Sequence, residues 1–444
     1  MFKKKFSSLD LRYFSFLILT ISICYSVFGN YPNNWGDPYN YLEIANDLHG
    51  SSLTRFIGYP LYLKIFSFDL KFIYLPTVFQ IIFFVISIIF LEREIRKKNN
   101  KSYFVYLLMA FPGITYANVL MFPDSLVLSL LCLYVYFLLK NNFLFLFLIS
   151  IILFFLKSYL IFLIFFTLLI FFEKKFLLVK KFKIKYFFTF IFPIAFYIFL
   201  PNHLAQPFFS KIKIENLDFN YQFTCNSKII NLNENDIYLN KHDIQYGSIL
   251  KKNLELDKSC YSLMEKNVSR YIVNIIFKNH FNEVLNKTIL NFVSSFFGIS
   301  TQDHVTSMIG VDFDNKIKLI ENNQINGLDY KIFSKIKDKT FSNKILNTNS
   351  LIDKFNLVHI VVLTKLQFFI SIIMSVITFF IFIKNKDNIV ISNLFALNIN
   401  FAIMHSVFAL VIADRYVFFV LLFQIVIILL YTSRNKSDQA GNYP

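Results

Sequence analysis

The sequence predicts an all-α integral membrane protein with about ten transmembrane helices and one long external loop domain rich in helix. Hydrophobic residues make up 56% of the 444 residues and charged residues only 16%, whereas a soluble domain has about 25% charged residues. The apolar residues also form blocks close to the ~20 residues that a helix needs to cross a bilayer. This chain cannot cover its surface with polar side chains, so a bilayer is the expected surrounding.

The apolar blocks define the predicted spans, and the segments between them define the predicted domains. The spans are 12–29, 72–91, 102–121, 125–139, 143–156, 158–172, 186–201, 366–383, 389–411 and 416–432. The domains are an N-terminal transmembrane module at 1–201 with a first external loop at 30–71, an extracytoplasmic loop domain at 202–355, C-terminal helices at 356–432 and a cytoplasmic tail at 433–444. The basic N-terminus resembles a signal peptide, but no small-residue cleavage site follows it, so we expect a retained first helix.

The net charge of +17 is explained by membrane topology. With the N-terminus in the cytoplasm, the basic runs 92–101 and 173–185 both face the cytoplasm, as the positive-inside rule requires. The short external segments hold few basic residues, namely Arg55, Lys64, Lys71, Lys157 and Arg415. We therefore expect a multi-pass protein of the cytoplasmic membrane whose basic residues meet lipid headgroups, and we expect no nucleic-acid partner.

The apolar stretch 143–172 is interpreted as two short helices that form a hairpin. A single helix of this length would extend about 45 Å, which is too long for one crossing, and it would move the basic run 173–185 outside. The hairpin keeps the charge rule intact and places Lys157 at its external tip, or below the surface and facing protein or water.

Two of the four cysteines, Cys225 and Cys260, fall in the long external segment. In an oxidising compartment they predict a disulfide that closes a loop of about 35 residues and contributes roughly 3–4 kcal/mol. The sequence contains no CxxC, His/Cys cluster, GxGxxG or P-loop pattern, so zinc and nucleotide sites have no support.

The first external loop carries a short predicted amphipathic helix in "GDPYNYLEIANDLHG". Asp37 is its expected N-cap and Pro38 its first helical residue. Its apolar stripe consists of Tyr41, Ile44, Ala45 and Leu48. The segment "RFIGYP" follows, in which Arg55 is placed to meet phosphate at membrane depth. A second amphipathic region, 269–298, is predicted to lie on the outer face of the membrane.

These motifs resemble the polytopic GT-C glycosyltransferases, near the branch that uses dolichyl- or polyprenyl-phosphate-linked mannose. Members carry an acidic residue, an interface helix and an Arg-x-x-Gly-Tyr-Pro-like turn in the first external loop, which Asp37, "YNYLEIANDL" and "RFIGYP" match. Three later features also match: Asp124 in "MFPDSLVL", Lys157 in "FFLKSYL", and the pair Arg415 and Tyr416 in "ADRYVFF". The resemblance covers most of the chain in short motifs, and most of 202–355 has no counterpart.

The resemblance implies transfer of a sugar from a polyprenyl-phosphate donor to a glycan, lipid or protein acceptor on the extracytoplasmic face. Asp37 is the expected general base, and Asp124 is a second catalytic carboxylate. The expected donor-binding residues are Arg55, Tyr59, Lys157, Arg415 and Tyr416, because cations stabilise a leaving phosphate. No cofactor is expected; a divalent metal held by Asp37 and Asp124 is the less favoured variant, since neither of these residues lies in an Asp-x-Asp motif.

Other interpretations stay open. A membrane polysaccharide polymerase of the O-antigen type also has many spans and a long external loop, although residues 202–355 hold only one arginine, Arg270. A flippase or transporter needs charges or helix breaks at mid-membrane, and a non-catalytic scaffold needs none of these features. The acidic residues are also compatible with simple helix capping, Lys157 with snorkelling, and Arg415 with interface anchoring.

Overall fold

The computed structural model describes residues 13, 16, 37–46, 48, 57–72, 74–99, 101–109, 122–176, 220–225, 227–233, 267, 271, 274–298, 351–385, 388–408 and 414–440. Within these residues the chain is mostly helical, in agreement with the predicted class. Two helical segments are long and apolar enough to cross a membrane, Leu75–Arg96 and Ile389–Ser406. Five shorter apolar helical segments accompany them: Pro123–Leu139, Phe143–Leu156, Tyr159–Phe172, Phe369–Lys384 and Phe419–Thr432. The number of ten spans stays a prediction.

The described helices and strands are numbered in chain order. They are α1 Asp37–Asn46, α2 Gly58–Phe66, α3 Tyr74–Arg96, a 3₁₀ helix Ser102–Met109, α4 Pro123–Leu139, α5 Phe143–Leu156, a 3₁₀ helix Ser158–Ile161, α6 Phe162–Phe176, β1 Asn220–Cys225, β2 Lys228–Asn233, α7 Phe281–Phe297, α8 Leu351–Lys384, α9 Ile389–Phe408 and α10 Asp414–Ala440.

The chain forms two compact units. The first comprises Met1–Lys181, Phe296–Ile399 and Ala413–Pro444, and the second comprises Phe182–Ser295 and Asn400–Ile412. The described part of the second unit contains the antiparallel hairpin β1–β2, in which Asn220 pairs with Asn233. This hairpin was not anticipated in a loop domain predicted to be rich in helix.

In the first unit, α4 and α5 pack against each other as a helical hairpin. Lys140 and Asn141 end α4, and Asn141 adopts a left-handed φ of 56°, a conformation that asparagine tolerates better than most residues. Asn142 then caps α5 by accepting a hydrogen bond from the Phe145 amide at 3.4 Å. These three polar residues turn the chain sharply, which brings the two apolar helices together in antiparallel fashion.

The helices α3 and α4 run parallel, and α5 runs opposite to them. Phe90 near the end of α3 lies 5.7 Å from Tyr136 near the end of α4, measured between ring centroids. Phe137 in α4 stacks on Phe145 at the start of α5 at 4.8 Å. The starts of α3 and α4 and the end of α5 therefore meet at one end of the group, which we call the Lys157 end.

The opposite end of this group, which we call the Glu92 end, is held by polar contacts. Glu92 is buried and accepts hydrogen bonds from Arg96 one helical turn later, at 2.8 and 2.5 Å, and from the Ser102 hydroxyl at 2.6 Å. The Asn99 side-chain amide donates to the Leu429 carbonyl at 2.6 Å and to the Thr432 hydroxyl at 2.9 Å. This end of the group is thus joined to α10 near the end of its apolar stretch.

Several helices of the first unit expose apolar side chains along one stripe and bury polar ones. On α3 the exposed stripe consists of Val78, Phe79, Ile82, Ile86 and Phe90, and on α5 it consists of Leu144, Phe145, Leu148, Ile152 and Phe155. On the other side of α3, Thr77, Gln80 and Ser87 are buried. This distribution is the reverse of that on a surface helix of a water-soluble protein.

Two predicted spans differ from the elements observed. The stretch 102–121 begins as a 3₁₀ helix, Ser102–Met109, where three aromatic residues and a valine lose side-chain freedom in an α-helix; residues 110–121 lie outside the described part. The span 366–383 is part of a helix that begins at Leu351. Its 34 residues correspond to about 51 Å, so α8 extends well beyond the apolar segment.

Candidate functional site at the Lys157 end

The amphipathic helix predicted in the first external loop is present as α1, and it packs against α2. Tyr41, Leu42, Ile44 and Ala45 are buried, which matches the predicted apolar stripe apart from Leu48, which is half-buried. The ring of Tyr41 meets the ring of Tyr59 edge to face, with 5.1 Å between centroids. The two short helices therefore form one packed layer through these tyrosines.

Tyr59, predicted to bind the donor, is completely buried in this structure. Its hydroxyl donates a hydrogen bond to Oε1 of Gln80 on α3 at 3.1 Å, and its ring stacks on Tyr62. In this structure Tyr59 therefore has a packing role beside the site, because it fixes α2 against α3. Gln80 was missed from the sequence, although a glutamine inside an apolar span is an indication of a buried hydrogen bond.

Tyr62 forms a second polar link between α2 and α3. Its hydroxyl donates to the Pro76 carbonyl at 2.5 Å. The Pro76 carbonyl lies in the first turn of α3, so this hydrogen bond fixes α2 to the start of α3. Burial raises the pKa of the Tyr62 phenol above its ordinary value, so this hydroxyl keeps its proton and remains a donor at neutral pH.

Gly58 lets α2 touch the end of α5 at backbone distance. A Cβ placed on Gly58 would lie 2.7 Å from the Phe155 carbonyl carbon, closer still to its oxygen, and 3.2 Å from the Leu156 nitrogen. Real Cβ atoms do not approach backbone atoms this closely, so only glycine fits without a shift of one helix. The Gly-Tyr-Pro segment therefore rests directly on the backbone that precedes Lys157.

Lys157 and Asp124, which are 33 residues apart in the chain, form a buried ion pair. Nζ of Lys157 contacts Oδ1 of Asp124, and the side chains are 11% and 3% exposed, respectively. The Lys157 backbone is extended between α5 and the following 3₁₀ helix, so its side chain leaves the hairpin tip toward α4. The ammonium also lies 5.6 Å from the centroid of the Tyr159 ring, a cation–π contact that was not predicted.

Asp124 does not act as the N-cap of α4. The helix begins at Pro123, the capping position belongs to Phe122, and Phe122 makes no side-chain capping bond. Asp124 lies in the first turn, where the helix dipole favours a negative charge. Its carboxylate is therefore held by the dipole and by Lys157 together.

The remaining predicted site residues are described only in part. Asp37 is the first residue of α1, and Arg415 and Tyr416 lie in the first turn of α10, but their side chains are outside the described set, and so is all of Arg55. Arg415 precedes Thr432 by about 26 Å of helix. Since Thr432 lies at the Glu92 end, the start of α10 lies well away from that contact.

The predicted disulfide also falls outside the described side chains. Cys225 ends β1, its side chain is not described, and Cys260 lies beyond the described residues. Cys132 on α4 is a buried free thiol, as expected for a cysteine packed in a span. Among the described side chains there is no group of three or more His, Cys, Asp or Glu residues able to hold a metal ion, a search that does not include the Asp37 carboxylate.

The Lys157 end thus assembles three of the predicted motifs in one place. The Gly-Tyr-Pro segment, the Pro-Asp start of α4 and the Leu-Lys-Ser hairpin tip are in contact there. Chemically, the assembly offers a carboxylate and an ammonium held together at the ends of apolar helices. Comparison of the chain with protein-family models, with curated proteins and with solved structures finds no match.

Proposed function

We propose that this chain is a membrane glycosyltransferase of GT-C architecture that takes a sugar from a polyprenyl-phosphate donor at the Lys157 end. The buried Asp124–Lys157 ion pair carries the proposal. Burying two charges costs several kcal/mol per ion before their attraction offsets it, and a purely structural hairpin tip needs neither charge. Ionisable groups in a membrane segment mark functional sites by default.

The surroundings of the pair support a lipid-linked substrate. The exposed apolar stripes of α3 and α5 are suited to contact with acyl chains, and Phe155 of the α5 stripe lies two residues before Lys157. A polyprenyl tail along such a surface brings its phosphate to the depth of the helix end. Lys157, with Arg55 and Arg415 from neighbouring segments, supplies positive charge for that phosphate.

In the proposed reaction an acceptor hydroxyl oxygen attacks the anomeric carbon of the donor sugar. The carboxylate of Asp37 accepts the hydroxyl proton as general base. The bond between the anomeric carbon and the phosphate oxygen breaks, and its electron pair leaves with the polyprenyl phosphate. The cations stabilise the charge that develops on that oxygen, and inversion at the anomeric carbon follows from the resemblance to the GT-C enzymes.

The position of the ion pair favours this proposal over a transporter and over a scaffold. A transporter requires charges near the middle of paired spans, whereas the described pair lies at the ends of α4 and α5. A scaffold has no use for a buried cation at a membrane-facing helix end. The polysaccharide polymerase differs in its donor, which carries a repeat unit on a polyprenyl pyrophosphate rather than one sugar on a monophosphate.

The test is sugar transfer by the purified chain in nanodiscs, using polyprenyl-phosphate-linked sugars as donors. An Asp37→Asn variant that inserts and folds like the parent is expected to lose roughly a hundredfold or more of the rate, the usual range for a general base. Glu94→Gln, an equal change of charge at the Glu92 end, is the matched control and is expected to keep the parent rate. Transfer by Asp37→Asn at the parent rate would disprove the assignment of the base.

A further inference from the structure

The Asp124–Lys157 pair joins Lys157, which the proposed reaction uses, to Asp124, to which that reaction gives no step. We propose that the donor phosphate competes with Asp124 for Lys157, so that the ion pair is the resting state, opens when donor binds and closes when the spent carrier leaves. This inference rests on the proposed function. It concerns how the same site distinguishes donor from product.

The geometry of Lys157 permits this exchange. Lysine carries a single rotatable ammonium on a four-carbon stem, unlike the rigid fork of arginine. The ammonium contacts one carboxylate oxygen of Asp124, and the Tyr159 ring lies 5.6 Å away. The ring face offers a neighbouring position of favourable potential, so the ammonium can leave Asp124 without losing all of its stabilisation.

The charge of the phosphate changes during the proposed reaction. The donor phosphate is a diester with one charge, like Asp124, whereas the spent carrier is a monoester with about −1.5 to −2 charges near neutral pH and three acceptor oxygens. The lysine side chain is the more exposed of the two, at 11% against 3%. A phosphate arriving at the helix end therefore meets the ammonium before it meets the carboxylate.

The Asp124 carboxylate, once it has lost Lys157, affects how tightly the donor and the spent carrier are bound. A buried carboxylate that loses its cation is destabilised by several kcal/mol unless other donors replace it. The hydroxyl groups of a donor sugar supply such donors, and a bare polyprenyl phosphate does not. Asp124 therefore competes most strongly for Lys157 when the spent carrier is bound, which offsets the attraction of the ammonium for the monoester and aids its release after transfer.

The carboxylate at the Glu92 end lacks the features needed for such an exchange. Glu92 is held by two nitrogens of Arg96 and by the Ser102 hydroxyl. Arg96 is on the same helix four residues later, so the backbone keeps the partners together. The exchange thus requires the arrangement found at Asp124, whose partner is a lysine from a different segment of the chain.

The experiment measures binding of a bare polyprenyl monophosphate to the chain in nanodiscs of neutral phosphatidylcholine. Asp124→Asn is expected to tighten binding roughly tenfold, because no carboxylate has to give up its cation. Glu94→Gln removes the same charge from another ion pair, Lys97–Glu94, and is expected to stay within about twofold of the parent. Adding Lys157→Gln to Asp124→Asn is expected to abolish the gain, since the two residues act on one step.

The outcomes separate this inference from the proposed function. If neither the parent nor Asp124→Asn binds polyprenyl phosphate, the donor class itself is wrong. If the parent binds it and the folded Asp124→Asn binds it equally or less tightly, the exchange is wrong and the transferase proposal stands. Asp124→Ser serves as the second test should the asparagine variant fail to fold, with the same expected gain.

Two further titrations identify the source of the phosphate group. One uses inorganic phosphate, and the other uses nanodiscs that contain phosphatidylglycerol but no polyprenyl phosphate. We expect neither to reproduce the tenfold gain in Asp124→Asn. An equal gain with either one would overturn the assignment of the site to a polyprenyl carrier.

Discussion

The two ends of the N-terminal helices each bury a carboxylate beside a cation, but they build the pair in different ways. At the Glu92 end the partners are one turn apart on the same helix, and the carboxylate receives three hydrogen bonds. At the Lys157 end the partners lie 33 residues apart on different elements, and both side chains are nearly enclosed. Local pairing with excess hydrogen bonds suits an anchor, whereas a contact between separate elements suits a group that must change partners.

The packing around the two pairs differs in the same sense. At the Glu92 end, Asn99 ties the chain to the Leu429 carbonyl and the Thr432 hydroxyl of α10, which fixes distant helices to each other. At the Lys157 end, α2 touches the α5 backbone through Gly58, and tyrosines line the contact between α1, α2 and α3. The first arrangement holds the fold, and the second positions the side chains of a site.

The largest effect is expected from removing the cation at the Lys157 end. Lys157→Met keeps the length of the side chain but has no charge, so we expect sugar transfer to fall roughly a hundredfold, the usual loss when one charge-stabilising donor is removed. Lys97→Met is the matched control, because Lys97 pairs with Glu94 at the other end. The initial rates of the two variants in nanodiscs are the measurement. Equal losses in both would show that the two ends do not differ in role.

A smaller effect on transfer is expected from closing the gap at Gly58. Gly58→Ala places a methyl group against the Phe155 carbonyl, 2.7 Å from its carbon, so α2 or the end of α5 must move and Lys157 is displaced. We expect a loss of about tenfold in the transfer rate, together with about 1–3 kcal/mol of stability, typical of overpacking. Leu61→Ala, on the exposed side of α2, is the control. A variant with the parent rate would remove Gly58 from the positioning of the site.

At the Glu92 end the expected effect is on stability and not on transfer. Glu92→Gln loses the charge-assisted bonds from Arg96, which is half exposed, so we expect a cost of about 1–2 kcal/mol. Thermal unfolding in detergent should show a midpoint lower by a few degrees. The transfer rate per folded molecule should equal that of the parent, and a hundredfold loss would contradict the division of roles.

The smallest effect is expected from the tether to α10. Asn99→Ala removes three hydrogen bonds: the two that the side-chain amide donates to the Leu429 carbonyl and the Thr432 hydroxyl, and the one that Oδ1 accepts from the Lys101 amide. About 1 kcal/mol of stability should be lost, and the transfer rate should be unchanged. Hydrogen exchange of the α10 amides near Thr432 is the more sensitive measurement, and unchanged protection there would mean that the tether contributes little.

The elements that the sequence predicted well are those with clear start and stop signals for a helix. The predicted break at Lys157 between two short helices is present, and α5 has the predicted bounds of 143 and 156. The second helix, predicted over 158–172, begins as a 3₁₀ helix and continues as α6 to Phe176. The amphipathic helix α1 follows from the Asp-Pro start and the stripe at helical spacing. In each case a polar residue or a proline interrupts an apolar run, and a helix starts or ends beside it.

The features that the sequence did not predict depend on contacts between distant residues. Asp124 and Lys157 were both expected in one site, but their direct contact depends on the relative rotation of α4 and α5. The burial of Tyr59 under Gln80 and the approach of Gly58 to Phe155 likewise arise from packing. The β1–β2 hairpin was missed although β1, Asn220–Cys225, has the polar–apolar alternation that marks a half-buried strand. Its partner β2, Lys228–Asn233, lacks that alternation.

The two ends are expected to lie on opposite sides of the membrane, with the Lys157 end outside, where the donor is. The direct measurement is labelling of Lys71→Cys and Lys98→Cys in intact cells with a membrane-impermeant maleimide, above the background of the parent. Both positions are exposed, and they follow α2 and α3, respectively. We expect Lys71→Cys to be labelled from outside and Lys98→Cys to be labelled only after the cells are permeabilised. Labelling of both from the same side, or of Lys98→Cys alone from outside, would contradict the proposed orientation and with it the site.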